Sequence, residues 1–114
     1  MPKVLISDKL SESAVDIFKK NKIETMYNPD LSREDLLKEI NNYDGLAIRS
    51  ATKVTEEIFK NAKNLKIVGR AGIGTDNIDK LAATKNGVIV MNTPFGNAVT
   101  TAEHAIALMM SLVR

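Results

Sequence analysis

Five short apolar runs recur along the chain, and this alternation with helical segments constrains the fold more than any other feature. The runs are Lys3 to Ser7, Ile23 to Met26, Gly45 to Ile48, Lys66 to Gly69 and Val88 to Met91. They are too short for helices and rich in Val, Ile and Leu, as strands buried on both faces are. Between them lie stretches with helical spacing. Ser11 can cap a helix to about Asn21, with Ala14, Val15, Ile17 and Phe18 inward. Ser32 and Asp35 resemble a capping box that opens a helix with Leu36, Leu37 and Ile40 inward. Thr55 caps a third helix, with Glu56 and Glu57 in its first turn and Ile58 and Phe59 inward. Ile78 to Asn86 reads as a fourth, closed by Asn86-Gly87. Repeated β-α units predict an α/β fold with right-handed crossovers. The expected architecture is a flavodoxin-like, doubly wound, five-stranded parallel sheet in the order 2-1-3-4-5.

The stretch from Gly69 to Asp79 stands where such folds place anions, at a turn between a strand and a helix start. Its three glycines, Gly69, Gly72 and Gly74, let main chain approach a ligand closely. Asp76 and Asn77 are good helix-capping types, and Asp79 puts a carboxylate in the first helical turn. The dinucleotide pattern G-x-G-x-x-G is not met, because Asn77 holds the third glycine position. No acidic residue stands near Asn97, where the ribose would be read.

Two arginines end strands: Arg49 before Ser50-Ala51-Thr52, and Arg70 before the glycine turn. A guanidinium fork suits carboxylate and phosphate. With hydroxyls from Ser50 and Thr52 and the N–H groups of Ile73 and Gly74, these residues predict a pocket for a small, doubly anionic ligand. The competing reading pairs one arginine with a structural carboxylate such as Asp76 or Asp79. Asp8, after the first run, is read as a turn residue rather than a catalytic acid. His104 is read as a partly buried structural residue, and Met109-Met110 as core or interface material.

Composition narrows the function classes. The net charge of +2 is small and the lysines are scattered, which argues against nucleic acid. Aromatic content of 4% leaves little for base stacking. With no cysteine and one histidine, no metal site is expected. No stretch resembles a signal peptide or a membrane span, so the cytoplasm is the expected compartment and no membrane partner is expected. Thr100-Thr101-Ala102-Glu103 fits a capping box, and the helix it opens, Ala105 to Val113, is apolar nearly all round. Such a helix needs cover on every side. The expectation is a chain cut in mid-protein, or one that forms a homo-oligomer through this helix.

Three blocks together resemble the D-isomer-specific 2-hydroxyacid dehydrogenases: Arg49 to Val54, Lys66 to Asp79, and Val90 to Asn97 followed by Ala102-Glu103-His104. The resemblance runs the length of the chain. It implies a substrate-binding domain over residues 1–97. Residues 98–114 become a crossover helix toward a nucleotide-binding domain that this chain lacks. It implies that the N–H groups of Ile73 and Gly74 hold a substrate carboxylate. Arg49 and Ser50 would face a phosphate with Arg70 nearby, Asn97 would sit in the substrate cleft, and Ile73 would lie close to a nicotinamide. The implied ligand is a small anionic metabolite of the 3-phosphoglycerate kind. NAD would belong to the full-length parent, with none held by this chain alone. The family's catalytic histidine, its paired glutamate and its nucleotide fingerprint fall beyond this sequence, so His104 is not that histidine and no catalytic residue is expected here. The remaining alternatives are a stand-alone anion-binding or regulatory module, and a flavodoxin-like interaction domain without a small ligand.

Overall fold

The first apolar run forms β1 (Lys3–Ile6), flanked by β2 (Glu24–Tyr27) and β3 (Gly45–Ile48). Beyond β3 lie β4 (Ile67–Arg70) and β5 (Ile89–Asn92), so the sheet order is 2-1-3-4-5 with every pairing parallel. The alternation of sequence types predicted this order. The computed structural model describes residues 2–9, 12–49, 51–71 and 74–92, with Glu103, Ile106 and Ala107. Expectations for Ser11, Ser50, Gly72, Ile73, Asn97, His104, the Thr100 capping box and the Met109-Met110 pair lie outside those residues.

Strand side chains alternate between two faces. Leu5, Leu46, Ile48 and Val68 pack under α2 (Arg33–Glu39), α3 (Glu56–Asn61) and α4 (Lys80–Lys85), with Leu36, Ile58, Phe59 and Ala83. Val4, Ile6, Ala47 and Ile67 face the other way, against Ala14 and Phe18 of α1 (Glu12–Lys20). Ile106 joins this second cluster and is buried there, so part of the last helical segment has its cover within the chain. Burying a large aliphatic or aromatic side chain contributes about 1.5–3 kcal/mol each.

Helix termini follow local chemistry. The Ser32 hydroxyl accepts from the N–H of Asp35 at 3.2 Å, as the capping-box pattern requires. Gly87 closes α4 with φ of 69°, a left-handed conformation that glycine adopts without penalty. Two ends differ from expectation. Thr55 occupies the N-cap of α3 in extended conformation, but its hydroxyl makes no capping bond and is buried without a partner among the described residues. α4 starts at Lys80, not Ile78, and its cap is Asp79, whose carboxylate accepts from Ala82 N–H at 3.0 Å. The cause is a parallel bridge between Val54 and Ile78. Val54 N–H donates to Asn77 O at 2.8 Å and Asp79 N–H donates to Val54 O at 2.9 Å, which keeps Ile78 and Asp79 extended after the turn at Asp76-Asn77.

Candidate functional site

Register places the carboxyl ends of β1, β3 and β4 side by side. Ile48 pairs with Arg70, and Arg70 with Asn92. Beyond them, Ser7 N–H donates to Ala47 O at 3.2 Å and Ala71 N–H to Ile48 O at 2.9 Å. The segments that leave the sheet here are Ser7-Asp8, the turn from Arg49 to Thr52, and the glycine turn. In doubly wound sheets this edge is where ligands bind.

The turn from Arg49 to Thr52 is held from two sides. Asp8, 3% exposed, takes its N–H groups. Asp8 Oδ2 accepts from Arg49 N–H at 2.5 Å and from Thr52 N–H at 3.1 Å. Its Oδ1 accepts the Thr52 hydroxyl at 2.9 Å. That hydroxyl has one proton, so Ser7 supplies the proton of the 3.0 Å bond between Ser7 Oγ and Thr52 Oγ1. Asn77 takes the carbonyls: its Nδ2 donates to Arg49 O at 2.7 Å and to Thr52 O at 2.6 Å. Turning the amide over would set oxygen against two carbonyl oxygens, so its orientation is fixed. Oδ1 is then buried with no partner among the described residues. Leaving such an acceptor unpaired costs about 1–3 kcal/mol.

The two arginines do different things. Arg70 folds over the glycine turn and its Nη1 donates to Gly74 O. A Cβ at position 74 would come within 3.1 Å of that nitrogen, so glycine makes room for the guanidinium. The Nε–H of Arg70 is buried without a partner among the described residues. Arg49 is exposed, and its Nη1 donates to Lys9 O at 3.3 Å. Among the described residues neither arginine pairs with Asp76 or Asp79. Of the residues expected at the site, Arg49, Arg70 and Gly74 stand at this edge of the sheet, while Ser50, Ile73 and Asn97 fall outside the described residues. Asp8 is a turn anchor, consistent with the turn reading.

Asp8's double grip and Asn77's crosslink were missed by the sequence reading. The one available signal was a polar amide at a position where the dinucleotide pattern wants glycine. That same amide bears on cofactor fit. The start of α4 is filled by Asp79's own carboxylate, and Asn77 crosses the turn, so this strand-turn-helix does not fit a pyrophosphate. Among the described residues no cluster of His, Asp or Glu is placed to hold a metal, and no helix is long and apolar enough to cross a membrane.

A five-stranded parallel sheet in this order, with helices on both faces and a glycine turn and two arginines at its carboxyl edge, defines a doubly wound, flavodoxin-like α/β domain. The chain belongs to the D-isomer specific 2-hydroxyacid dehydrogenase family, whose catalytic-domain model matches residues 4–111. Its similarity to the D-3-phosphoglycerate dehydrogenases is high. It is 50% identical over 112 residues to that enzyme from Archaeoglobus fulgidus, covering 98% of this chain and 21% of the relative. To the Bacillus subtilis enzyme it is 48% identical over 115 residues, covering 100% of this chain and again 21% of the relative. The chain thus spans about a fifth of the length of these relatives. Among solved structures, the 3-phosphoglycerate dehydrogenase of Entamoeba histolytica with bound NAD+ superposes with a TM-score of 0.73 at 35% identity, over 82% of this chain and 33% of that one. A Pyrococcus horikoshii protein superposes with a TM-score of 0.78 at 33% identity, over 82% and 28% respectively.

Proposed function

We propose that this chain is the substrate-binding part of an NAD-dependent D-3-phosphoglycerate dehydrogenase, a cytoplasmic oxidoreductase of serine biosynthesis. The parent reaction would oxidise the 2-hydroxyl of 3-phospho-D-glycerate to a ketone and pass the hydride to NAD. The N–H groups of Ile73 and Gly74 would take the substrate carboxylate. Arg49 and Ser50 would face the phosphate, with Arg70 beside them and Asn97 in the cleft. Ile73 would approach the nicotinamide. The nucleotide site and the hydride-transfer groups would lie outside these residues, so the chain alone is expected to be inactive. The helix expected over residues 98–114 would cross toward the nucleotide-binding domain, or pair with its copy in a second chain, which sedimentation would reveal as a mass above the monomer.

One observation carries the anion reading: the Arg70 guanidinium lies over Gly74 with its Nε–H buried and unpartnered among the described residues. A buried donor of a cationic group is costly unless an acceptor arrives, and a carboxylate or phosphate oxygen is the natural acceptor. Calorimetry with 3-phosphoglycerate tests it. Saturable heat is expected, weakened about tenfold or more by Arg49→Ala through loss of a charge-assisted contact. D-Lactate, which lacks the phosphate, should bind less tightly. No saturable heat at millimolar 3-phosphoglycerate would overturn the reading.

A further inference from the structure

We infer that Asn77 and Asp8 are positioning residues that fix the turn from Arg49 to Thr52 relative to the glycine turn and thereby set where the anion's two ends are gripped. This inference rests on the anion reading above. The geometry is reciprocal. Asp8 Oδ2 collects the N–H groups of Arg49 and Thr52, while Asn77 Nδ2 collects the carbonyls of the same two residues. The ends of one short turn are therefore pinned by an acceptor from the first strand and a donor from the glycine turn. Neither side chain needs to touch the ligand. Arg49's Cα can move only if one of these bonds breaks, and Asn77 makes any such movement a movement relative to Gly74 as well.

The main chain around Asn77 does not depend on its side chain. Val54 N–H already bonds Asn77 O, and Asp79 N–H bonds Val54 O. A purely structural residue would be felt in global stability. A positioning residue would be felt at the turn and in affinity, with the bridge intact. Asn77's amide makes both of its bonds to the turn's ends, which points to the second role.

Asn77→Ala in this chain tests the inference through three readouts. Hydrogen exchange should accelerate by about tenfold or more at the Arg49 and Thr52 amides, since their opening loses one of two restraints. Affinity for 3-phosphoglycerate should fall by about tenfold. The exchange of Val54 and Asp79 amides, which report the bridge, should stay unchanged. Asp8→Asn, which keeps one acceptor oxygen for the two N–H groups, should retain affinity within about threefold. Unchanged exchange at Arg49 and Thr52 would overturn the inference, as would faster exchange there with affinity unaltered, or collapse of the bridge amides together with the turn. Absence of 3-phosphoglycerate binding by the unmodified chain would instead sink the anion reading, and the positioning claim would be judged on exchange alone.

Discussion

Arg70 and Gly74 close the turn after β4 on itself: the guanidinium donates to the Gly74 carbonyl, and a Cβ at residue 74 would stand 3.1 Å from the donating nitrogen. Gly74→Ala must therefore displace Arg70 by a few tenths of an ångström. The obstructing atom is the far end of a flexible side chain, so the fold absorbs this easily while the guanidinium is re-aimed. We expect a thermal midpoint within about 3 °C of the parent and 3-phosphoglycerate affinity reduced about tenfold. A midpoint drop without an affinity change would contradict this account.

Asp8 accepts three hydrogen bonds in a buried setting, so deleting its carboxylate orphans the Arg49 and Thr52 amides together. Asp8→Ala should cost about 3 kcal/mol, against about 1 kcal/mol for Asp8→Asn, which keeps an acceptor in place. Urea denaturation of the two variants against the parent measures both. Equal losses would mean that the negative charge or the second acceptor oxygen, not the side chain's shape or a single remaining acceptor, carries the effect.

Thr55 sits where a threonine normally stabilises a helix start, and its removal there typically costs about 1 kcal/mol. Here the hydroxyl makes no capping bond and is buried without a partner among the described residues. Thr55→Val keeps the β-branched shape and discards the unpaired oxygen. It should be neutral or stabilising, by up to about 1 kcal/mol. A loss of about 1 kcal/mol in chemical denaturation would show that the cap bond does form in solution.

Tyr43 is buried, and burial pushes its phenol above the usual value, with Glu39 and Glu24 pushing the same way. Its unfolded value is about 10. A raised folded value means that the unfolded chain loses this proton first. The stability it supports is complete below about pH 10 and drains away as pH rises through the folded value. The urea midpoint of the parent should thus fall more steeply above about pH 10 than that of Tyr43→Phe, which has no phenol to ionise. Parallel curves for the two proteins would remove Tyr43 from the alkaline transition.

The strands were legible because Val4-Leu5-Ile6 and Ile67-Val68 are buried on both faces and so read as continuous apolar runs. Ser32 was legible because a capping box is local in sequence. The start of α4 was read two residues early. Asp76, Asn77 and Asp79 are all capping types, and only the bridge from Val54, a residue far back in the chain, selects among them. Asp8's part in the site was invisible for the same reason. Its partners lie 41 and 44 residues away, and a side chain that bonds to main chain leaves no periodic trace. Arg49, Arg70 and Gly74 could be singled out by residue type and strand-end position alone, but what each guanidinium touches depended on the tertiary packing.

The grip of Asp8 on Arg49 and Thr52 makes the end of the amino-terminal strand a determinant of where Arg49 is held. A version of this domain that began after β1 would keep both arginines, every glycine and the whole 69–79 stretch. It would still lack one of the two restraints that set Arg49, keeping only the amide of Asn77. Arg49 is then fully set only once the first strand has docked beside the third, so the placement of this side chain is tied to closure of the sheet far from it in sequence.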